Sequence, residues 1–196
     1  MKTLDKGDIM KNEKRSHKEI LKGIIEIEYD MFQQIKTAEP SECQDQTKTF
    51  RLMREMTHSV LSTPTLESYL EDLQKAKTKD RNLLTEKYAR MDNLIPPLKT
   101  NPLINDIVEI EVRWIKELSE KYPLTFKGKS LAPKMYLFSE LETYSDRTLE
   151  LYFRDVSKAK KEGENLAEKR YTMLFNKTGY GSIAEAEKKA KTQKDS

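Results

Sequence analysis

The sequence predicts an all-α fold, made of about eight helices in two tandem four-helix repeats and a short C-terminal helix. The main observation is that residues 23–91 reappear, diverged but without a gap, as residues 106–174 at a constant offset of 83. In addition, 35% of the residues are charged and only six are glycine, which is typical of helices with a solvated outer face. Two similar units in one chain are expected to pack about a pseudo-twofold axis, as the subunits of a C2 dimer do.

The first helix of each repeat has a clear beginning. Ser16 and Glu19 form a capping-box pattern before apolar residues that recur with helical spacing. In the second repeat, Asn101 followed by Pro102 provides a cap and a proline at the first helical position, and the helix is expected to end before Pro123.

The second helices are predicted over residues 48–61 and 134–143. The side chains expected to face inward are Phe50, Met53, Val60 and Leu61 in the first repeat, and Met135, Tyr136, Phe138 and Leu141 in the second.

The remaining helices follow from local signals. The third helices begin near Pro64 and its counterpart, and the fourth begin at Asn82 and Asn165, which are good capping residues. Ser182 and Glu185 predict the cap of a last, short helix. A repeat of about 70 residues is marginal as a separate folding unit, so residues 15–190 are expected to form one domain. Residues 1–14 and 191–196 are polar and aperiodic, and are expected to be flexible.

The composition excludes several functional classes. The chain has 36 basic and 33 acidic residues, interspersed, so neither nucleic acid nor a membrane surface is an expected partner. No apolar stretch is long enough to span a bilayer, and the beginning has no signal-peptide pattern. Cys43 is the only cysteine, and a loop thiol is its plainest interpretation. The expected protein is cytoplasmic and either a monomer or a weak dimer.

Two glutamates stand out from this pattern. On a helical wheel, Glu28 lies at the centre of the apolar stripe of its helix, and Glu111 occupies the same place in the second repeat. Glu26 and Glu109 fall on the opposite, solvated side. A buried carboxylate is costly unless it is paired, hydrogen-bonded, protonated or bound to a metal. Glu28 and Glu111 are therefore candidate site residues, and they would approach each other if their helices flank the axis.

Three interpretations of these carboxylates remain open. They are structural if buried tyrosines or arginines donate hydrogen bonds to them. They are metal ligands if Glu-x-x-His motifs complete a bundle site, and Glu55 with His58 supplies that spacing once. They are the polar part of a pocket for a small polar ligand if the repeats enclose a cavity.

The two repeats differ in their second helices. The first repeat has Arg51, Arg54 and His58, whereas the second has leucines at the positions of Arg54 and His58. We therefore expect a ligand site at Glu28, Arg51, Arg54 and His58, with a contribution from Glu111. Alternatively, Arg51 and Arg54 are surface residues.

Several segments resemble a known family. They are Cys43–Gln44, 48–54, 66–73 and 82–91, followed by Tyr171 and Gly179–Tyr180, and the run 82–91 is the most specific. Over roughly residues 24–190 the chain resembles an uncharacterised bacterial family, domain of unknown function 4125. The resemblance implies a bacterial cytosolic protein and carries over no catalytic residue.

The leading hypothesis is a small-polar-ligand-binding protein with its site between the repeats. The alternatives are a non-catalytic protein–protein interaction module and a carboxylate-rich metal site. The cofactor, and whether the protein is an enzyme, stay open. An enclosed cavity exposing both Glu28 and Glu111 would favour the ligand, whereas fully paired glutamates beside a large exposed apolar patch would favour a protein partner.

Overall fold

A computed structural model describes residues 15–35, 47–126 and 134–194, and within these ranges the regular secondary structure consists of α-helices joined by turns and short irregular segments. The helices are α1 (His17–Gln33), α2 (Thr47–His58), α3 (Thr63–Thr78), α4 (Leu83–Met91), α5 (Pro102–Lys121), α6 (Lys134–Leu141), α7 (Asp146–Lys161), α8 (Leu166–Lys177) and α9 (Ile183–Lys194). The predicted all-α class, with about eight helices and a C-terminal one, is confirmed. The predictions for residues 1–14, Cys43 and residues 195–196 fall outside the described ranges.

The helices begin where capping residues predict. The Ser16 side chain accepts a hydrogen bond from the Glu19 backbone, and the Glu19 carboxylate accepts one from the Ser16 backbone, so the capping box is formed. Asn82 and Asn165 cap α4 and α8 through bonds of 2.9 and 3.0 Å. The side-chain amides of the same two asparagines donate to main-chain oxygens at the end of α1 and within α5. Each cap thus also joins two helices.

The helix contacts occur in matching pairs. In the first half, α1 packs on α2, α3 and α4, and in the second half α5 packs on α6, α7 and α8. Across the halves, α3 packs on α7, α4 on α6, and α2 on α8. Exchanging the halves leaves this list unchanged, as a pseudo-twofold arrangement requires. The rotation that relates the halves remains a prediction.

Two aspartates connect the third helices reciprocally. Asp155 on α7 accepts hydrogen bonds from Ser62 N at 2.9 Å and Thr65 Oγ1 at 2.6 Å, at the start of α3. Asp72 on α3 accepts bonds of the same two lengths from Ser145 N and Thr148 Oγ1, at the start of α7. Because free N–H groups and the helix dipole favour a negative charge at a helix N-terminus, each third helix stabilises the start of the other.

The predicted inward faces of the second helices are right for Leu61 and Leu141, which are buried, but wrong for Met53 and Met135. Met53 and Met135, expected inside, are 40% and 36% exposed. The buried residues are Arg54, Met56 and His58 on α2 and Ser139, Glu140 and Leu141 on α6. The reason is that oppositely charged side chains from both halves pair in the interior, which turns the polar side of each second helix inward.

The C-terminal helix packs at one end of the molecule. Ile183 and Ala186 of α9 join Leu118, Phe126 and Phe175 in a small separate core. Glu187 accepts hydrogen bonds from the backbone of Leu124 and Thr125 and so holds the segment that follows α5. Helix α9 continues to Lys194, into the segment predicted to be a tail. Among the described residues, no helix combines the length and the hydropathy that crossing a membrane requires.

Candidate functional site

Glu28 lies in the interior of the first half, at 0% exposure, as its position on the helical wheel predicts. Arg54 Nε donates to Glu28 Oε2 at 2.8 Å, and Arg54 Nη2 donates to Oε1. The Tyr69 hydroxyl donates to Oε1 at 2.8 Å. His58 Nε2 lies 3.1 and 3.2 Å from the two carboxylate oxygens. Both oxygens of Glu28 are therefore paired.

Glu140, from the second half, extends this network. Its carboxylate accepts a hydrogen bond from Arg54 Nη2 at 2.7 Å and another from Lys87 Nζ at 2.6 Å. Lys87 is 2% exposed, and its amino group also lies 3.6 Å from the centroid of the Tyr136 ring. We call Glu28, Arg54, His58, Tyr69, Lys87 and Glu140 the Glu28 cluster. It joins the two halves through buried charges.

Burial and ion pairing act in opposite directions on the acids of this cluster. Burial alone would raise the pKa of Glu28, but the charge of Arg54, together with the hydrogen bonds from Arg54 and His58, outweighs it and lowers the pKa to about 2. The pKa of Glu140 lies well below its usual range because Arg54 and Lys87 overcome its desolvation. For Lys87 burial is the larger effect, so its pKa is lowered despite the contact with Glu140.

Glu111 forms a simpler cluster in the second half. Arg170 holds it with two hydrogen bonds of 2.6 and 2.7 Å, and the Tyr152 hydroxyl donates to Oε1 at 3.0 Å. Glu111 is 1% exposed, whereas Glu109 on the opposite face is exposed. We call Glu111, Tyr152 and Arg170 the Glu111 cluster. The predicted burial of both glutamates is confirmed.

A row of tyrosines lies between the two clusters. The ring of Tyr144 is 4.4 Å from that of Tyr69, which binds Glu28, and 6.4 Å from that of Tyr152, which binds Glu111. Both glutamates are thus linked to the same row of rings through tyrosine hydroxyls. Burial, followed by the negative charge of the nearby glutamates, raises the pKa of all three tyrosines, so the hydroxyls stay protonated as donors.

A central cavity of about 320 Å³ lies beside these clusters. It is lined by α2 of the first half and by α5 to α8 of the second; the lining residues are Met53, Met56, Thr57, His58, Leu61, Glu111, Ile115, Tyr136, Leu137, Glu140, Leu141, Tyr144, Tyr152, Ala167, Arg170 and Tyr171. Glu111 is part of its wall and Glu28 is not. The volume is within the range of about 300–1,000 Å³ that is usual for small-ligand pockets.

Two polar atoms of the lining residues have no hydrogen-bond partner. Among the described residues, His58 Nδ1 and Arg170 Nε are both buried and unpaired, as is Ser139 Oγ on α6. An unpaired buried polar group costs about 1–3 kcal/mol. A molecule that bound in the cavity and satisfied such an atom would recover part of that free energy.

The Glu28 cluster contains a possible set of metal ligands. Glu28, His58 and Glu140 can each place one ligand atom within 4.8 Å of the others. However, Arg54 Nη2 already contacts all three residues, and Lys87 Nζ contacts Glu140 as well. A divalent cation would have to displace the guanidinium, leaving an uncompensated buried charge. The residues present therefore fit a structural ion-pair network better than a metal.

Two of the predicted site residues, Arg51 and Glu55, lie outside both clusters. Arg51 pairs with Glu26 and lies over the Tyr29 ring, with 33% of its side chain exposed, so the surface interpretation is correct for it. Arg54, by contrast, is buried. Glu55 pairs with Lys177, and 34% of its side chain is exposed. The spacing of Glu55 and His58 thus does not make a shared site.

The sequence interpretation missed Glu140, Lys87 and Arg170. The leucines noted on the second helix of the second half gave no indication that Glu140 is buried beside them. A signal was present for the two cations. Lys87 and Arg170 are separated by the repeat offset of 83, and each follows buried residues at the start of a fourth helix. Comparing equivalent positions of the two repeats, as for Glu28 and Glu111, would have identified Lys87 and Arg170.

Comparisons with known proteins give one assignment. No curated protein and no solved structure matches the chain significantly. A family model described as "Protein of unknown function (DUF4125)" matches residues 18–188, which agrees with the resemblance seen in the sequence. The chain therefore belongs to that family.

Proposed function

We propose that this protein binds a small polar molecule in the central cavity between its two halves. The observation that supports this most directly is that His58 and Arg170, each with an unpaired buried atom, both line the cavity. Apolar walls with a few convergent polar groups are the usual make-up of a small-ligand pocket.

The arrangement of charges also supports a binding role. Tyrosine and arginine donors fully pair the carboxylates of Glu28 and Glu111, so these acids are available to position neighbouring groups rather than to capture a ligand directly. In particular, Glu28 holds the His58 ring from the side of Nε2. We propose that the two clusters fix the cavity walls and that His58 and Arg170 contact the ligand.

The interaction-module alternative meets only one of its two criteria: both glutamates are fully paired, but the exposed apolar side chains do not indicate a large patch. Within the described part of the chain, the exposed large apolar side chains are Met53, Leu94, Met135 and Tyr180, which belong to four different segments. A protein-binding groove would need a contiguous apolar patch.

From the family resemblance and the composition, we also propose that this is a bacterial cytosolic protein that acts as a monomer or weak dimer without a nucleic-acid partner.

Native mass spectrometry on the purified protein tests the proposal. We expect a bound species of small-molecule mass on the wild type. Ala167→Leu should abolish it, because Ala167 is a lining residue and the larger side chain fills the cavity without removing a polar group. The matched control is Ala184→Leu on the exposed face of α9, which should keep the adduct. A wild type without any adduct, or an Ala167→Leu variant that retains it, would contradict the proposal.

A further inference from the structure

We infer that the ligand of the central cavity is an uncharged aromatic compound carrying one hydrogen-bond donor and one acceptor. This inference rests on the proposed function and specifies the class of ligand. Three features of the cavity and its surroundings support it: the balance of buried charges, the two unpaired atoms and the aromatic lining.

The buried charges around the cavity balance one another. The acids Glu28, Glu140 and Glu111 face the cations Arg54, Lys87 and Arg170, and every acid is in contact with at least one of these cations. An ionised ligand would add a buried charge without a counter-ion, which is strongly unfavourable. An uncharged ligand leaves the balance intact.

His58 offers an acceptor. Arg54 Nη2 carries two hydrogens, and its two carboxylate contacts, Glu28 Oε1 and Glu140 Oε1, account for both. His58 Nε2 therefore carries its own hydrogen and donates it to Glu28, and in this tautomer Nδ1 keeps a free lone pair. Nδ1 has no partner, and His58 lines the cavity. A ligand N–H or O–H satisfies this lone pair.

Arg170 offers a donor. Its Nη1 and Nη2 atoms bind Glu111, and Nη2 also contacts the Tyr152 hydroxyl. The third nitrogen, Nε, carries one hydrogen and has no partner. A ligand carbonyl or hydroxyl oxygen satisfies it.

The side chains that line the cavity favour an aromatic body. Tyr144, Tyr152 and Tyr171 line the cavity together with Met53 and Met56. Aromatic rings pack on tyrosine faces and edges, and methionine sulfur makes favourable contacts with ring edges. Methionine side chains are also flexible, and Met53 is 40% exposed, so its side chain has room to adjust when a ring enters the cavity.

Four probes of nearly equal shape test the ligand class. Benzamide is neutral and has both a donor and an acceptor; benzoate is its anionic counterpart, benzamidine its cationic counterpart, and toluene lacks polar groups. Dissociation constants come from ligand-observed NMR titrations of the full-length wild type at about pH 8. We expect benzamide to bind about tenfold more tightly than benzoate or benzamidine, and more tightly than toluene.

An arginine-to-lysine change tests the donor. Arg170→Lys keeps a cation for Glu111, and lysine already occupies the equivalent position 87 of the first half. It removes the Nε hydrogen, so benzamide should bind about fivefold more weakly while toluene binding is unchanged. Arg51→Lys, the same change at the surface, is the control and should alter neither affinity.

The possible outcomes separate the two proposals. If toluene or a charged probe binds as tightly as benzamide, or if Arg170→Lys leaves benzamide binding unchanged, the ligand class is wrong while the proposed function survives. If none of the four probes binds at millimolar concentration, the ligand class is overturned, and the proposed function then stands or falls on the Ala167→Leu comparison by native mass spectrometry.

Discussion

Glu28 shows how a carboxylate can be accommodated inside a helical core. Burial of the charge is unfavourable, but Arg54, His58 and Tyr69 surround both oxygens with donors. The stability of the site therefore depends on all the partners together, because removing one leaves the others buried without a counterpart. Replacing single side chains measures this dependence.

The change Glu28→Gln should destabilise the protein by about 3 kcal/mol, at the lower end for a broken buried ion pair because Arg54 keeps Glu140. The amide would also turn a donor towards Arg54 or Tyr69. Glu26→Gln on the same helix is the matched control; its partner Arg51 is partly exposed, so a few tenths of a kcal/mol is expected. Denaturant melts measure both, and equal losses would refute the burial argument.

Stability should also fall in acid. The pKa of Glu28 is lowered from an unfolded value of 4.5 to about 2. Its contribution is therefore fully present above pH 4.5 and is lost as the pH falls through 2, and the total is roughly 3 kcal/mol. Glu140, whose pKa is also lowered, acts in the same direction. Urea melts between these pH values measure the free energy of unfolding. As the pH falls, that free energy should decrease less for Glu28→Gln than for wild type; an identical pH dependence would contradict the assignment.

At the scale of single elements, the sequence predicts helices and caps well because both depend on local spacing. Ser16, Asn82, Asn101, Asn165 and Ser182 all cap the helices they were expected to cap. The burial of Glu28 and Glu111 is predictable for the same reason, since each lies within a long apolar stripe.

The faces of the second helices could not be predicted in the same way. Helix α6 spans only eight residues, so its pattern does not distinguish a face that contains Glu140 from one that contains Met135. What turns Glu140 inward is the presence of Arg54 and Lys87 from the other half. Such a contact depends on tertiary packing, and the spacing of apolar residues within α6 does not indicate it.

The reciprocal caps of the third helices give a test at this scale. Asp72→Ala and Asp155→Ala should each cost about 1–2 kcal/mol, because each removes the acceptor for a backbone N–H and a threonine hydroxyl at a helix N-terminus. Glu71→Ala, at an exposed neighbour that pairs with Lys75, should cost a few tenths of a kcal/mol. Markedly unequal losses at Asp72 and Asp155 would mean that the two caps are not equivalent.

At the scale of the whole molecule, the two halves share one continuous core and exchange their contacts in pairs. Superposing residues 23–91 on 106–174 in an experimental structure should give a rotation near 180°, with α1 and α5 near the axis. Different folds for the two segments would contradict the predicted duplication.

The halves are not chemically equivalent, and this difference shapes the cavity. Arg54 and His58 correspond to Leu137 and Leu141 at the repeat offset, and Glu140 corresponds to Thr57. All of these except Arg54 line the cavity. The cavity therefore lies where the halves have diverged. Searching only for positions that are similar in the two repeats would not identify it.

The most direct test of the central claim is the NMR signal of the methionine methyl groups during titration with benzamide and toluene. Met53 and Met56 line the cavity, whereas Met31 lies in the core on α1 and Met173 lies on α8, outside the cavity lining. Binding in the cavity predicts saturable shifts of the Met53 and Met56 methyls with Met31 and Met173 unchanged. Shifts confined to Met173, or no shift at Met53 and Met56 together with a wild type that carries no adduct in native mass spectrometry, would contradict a ligand site between the two halves.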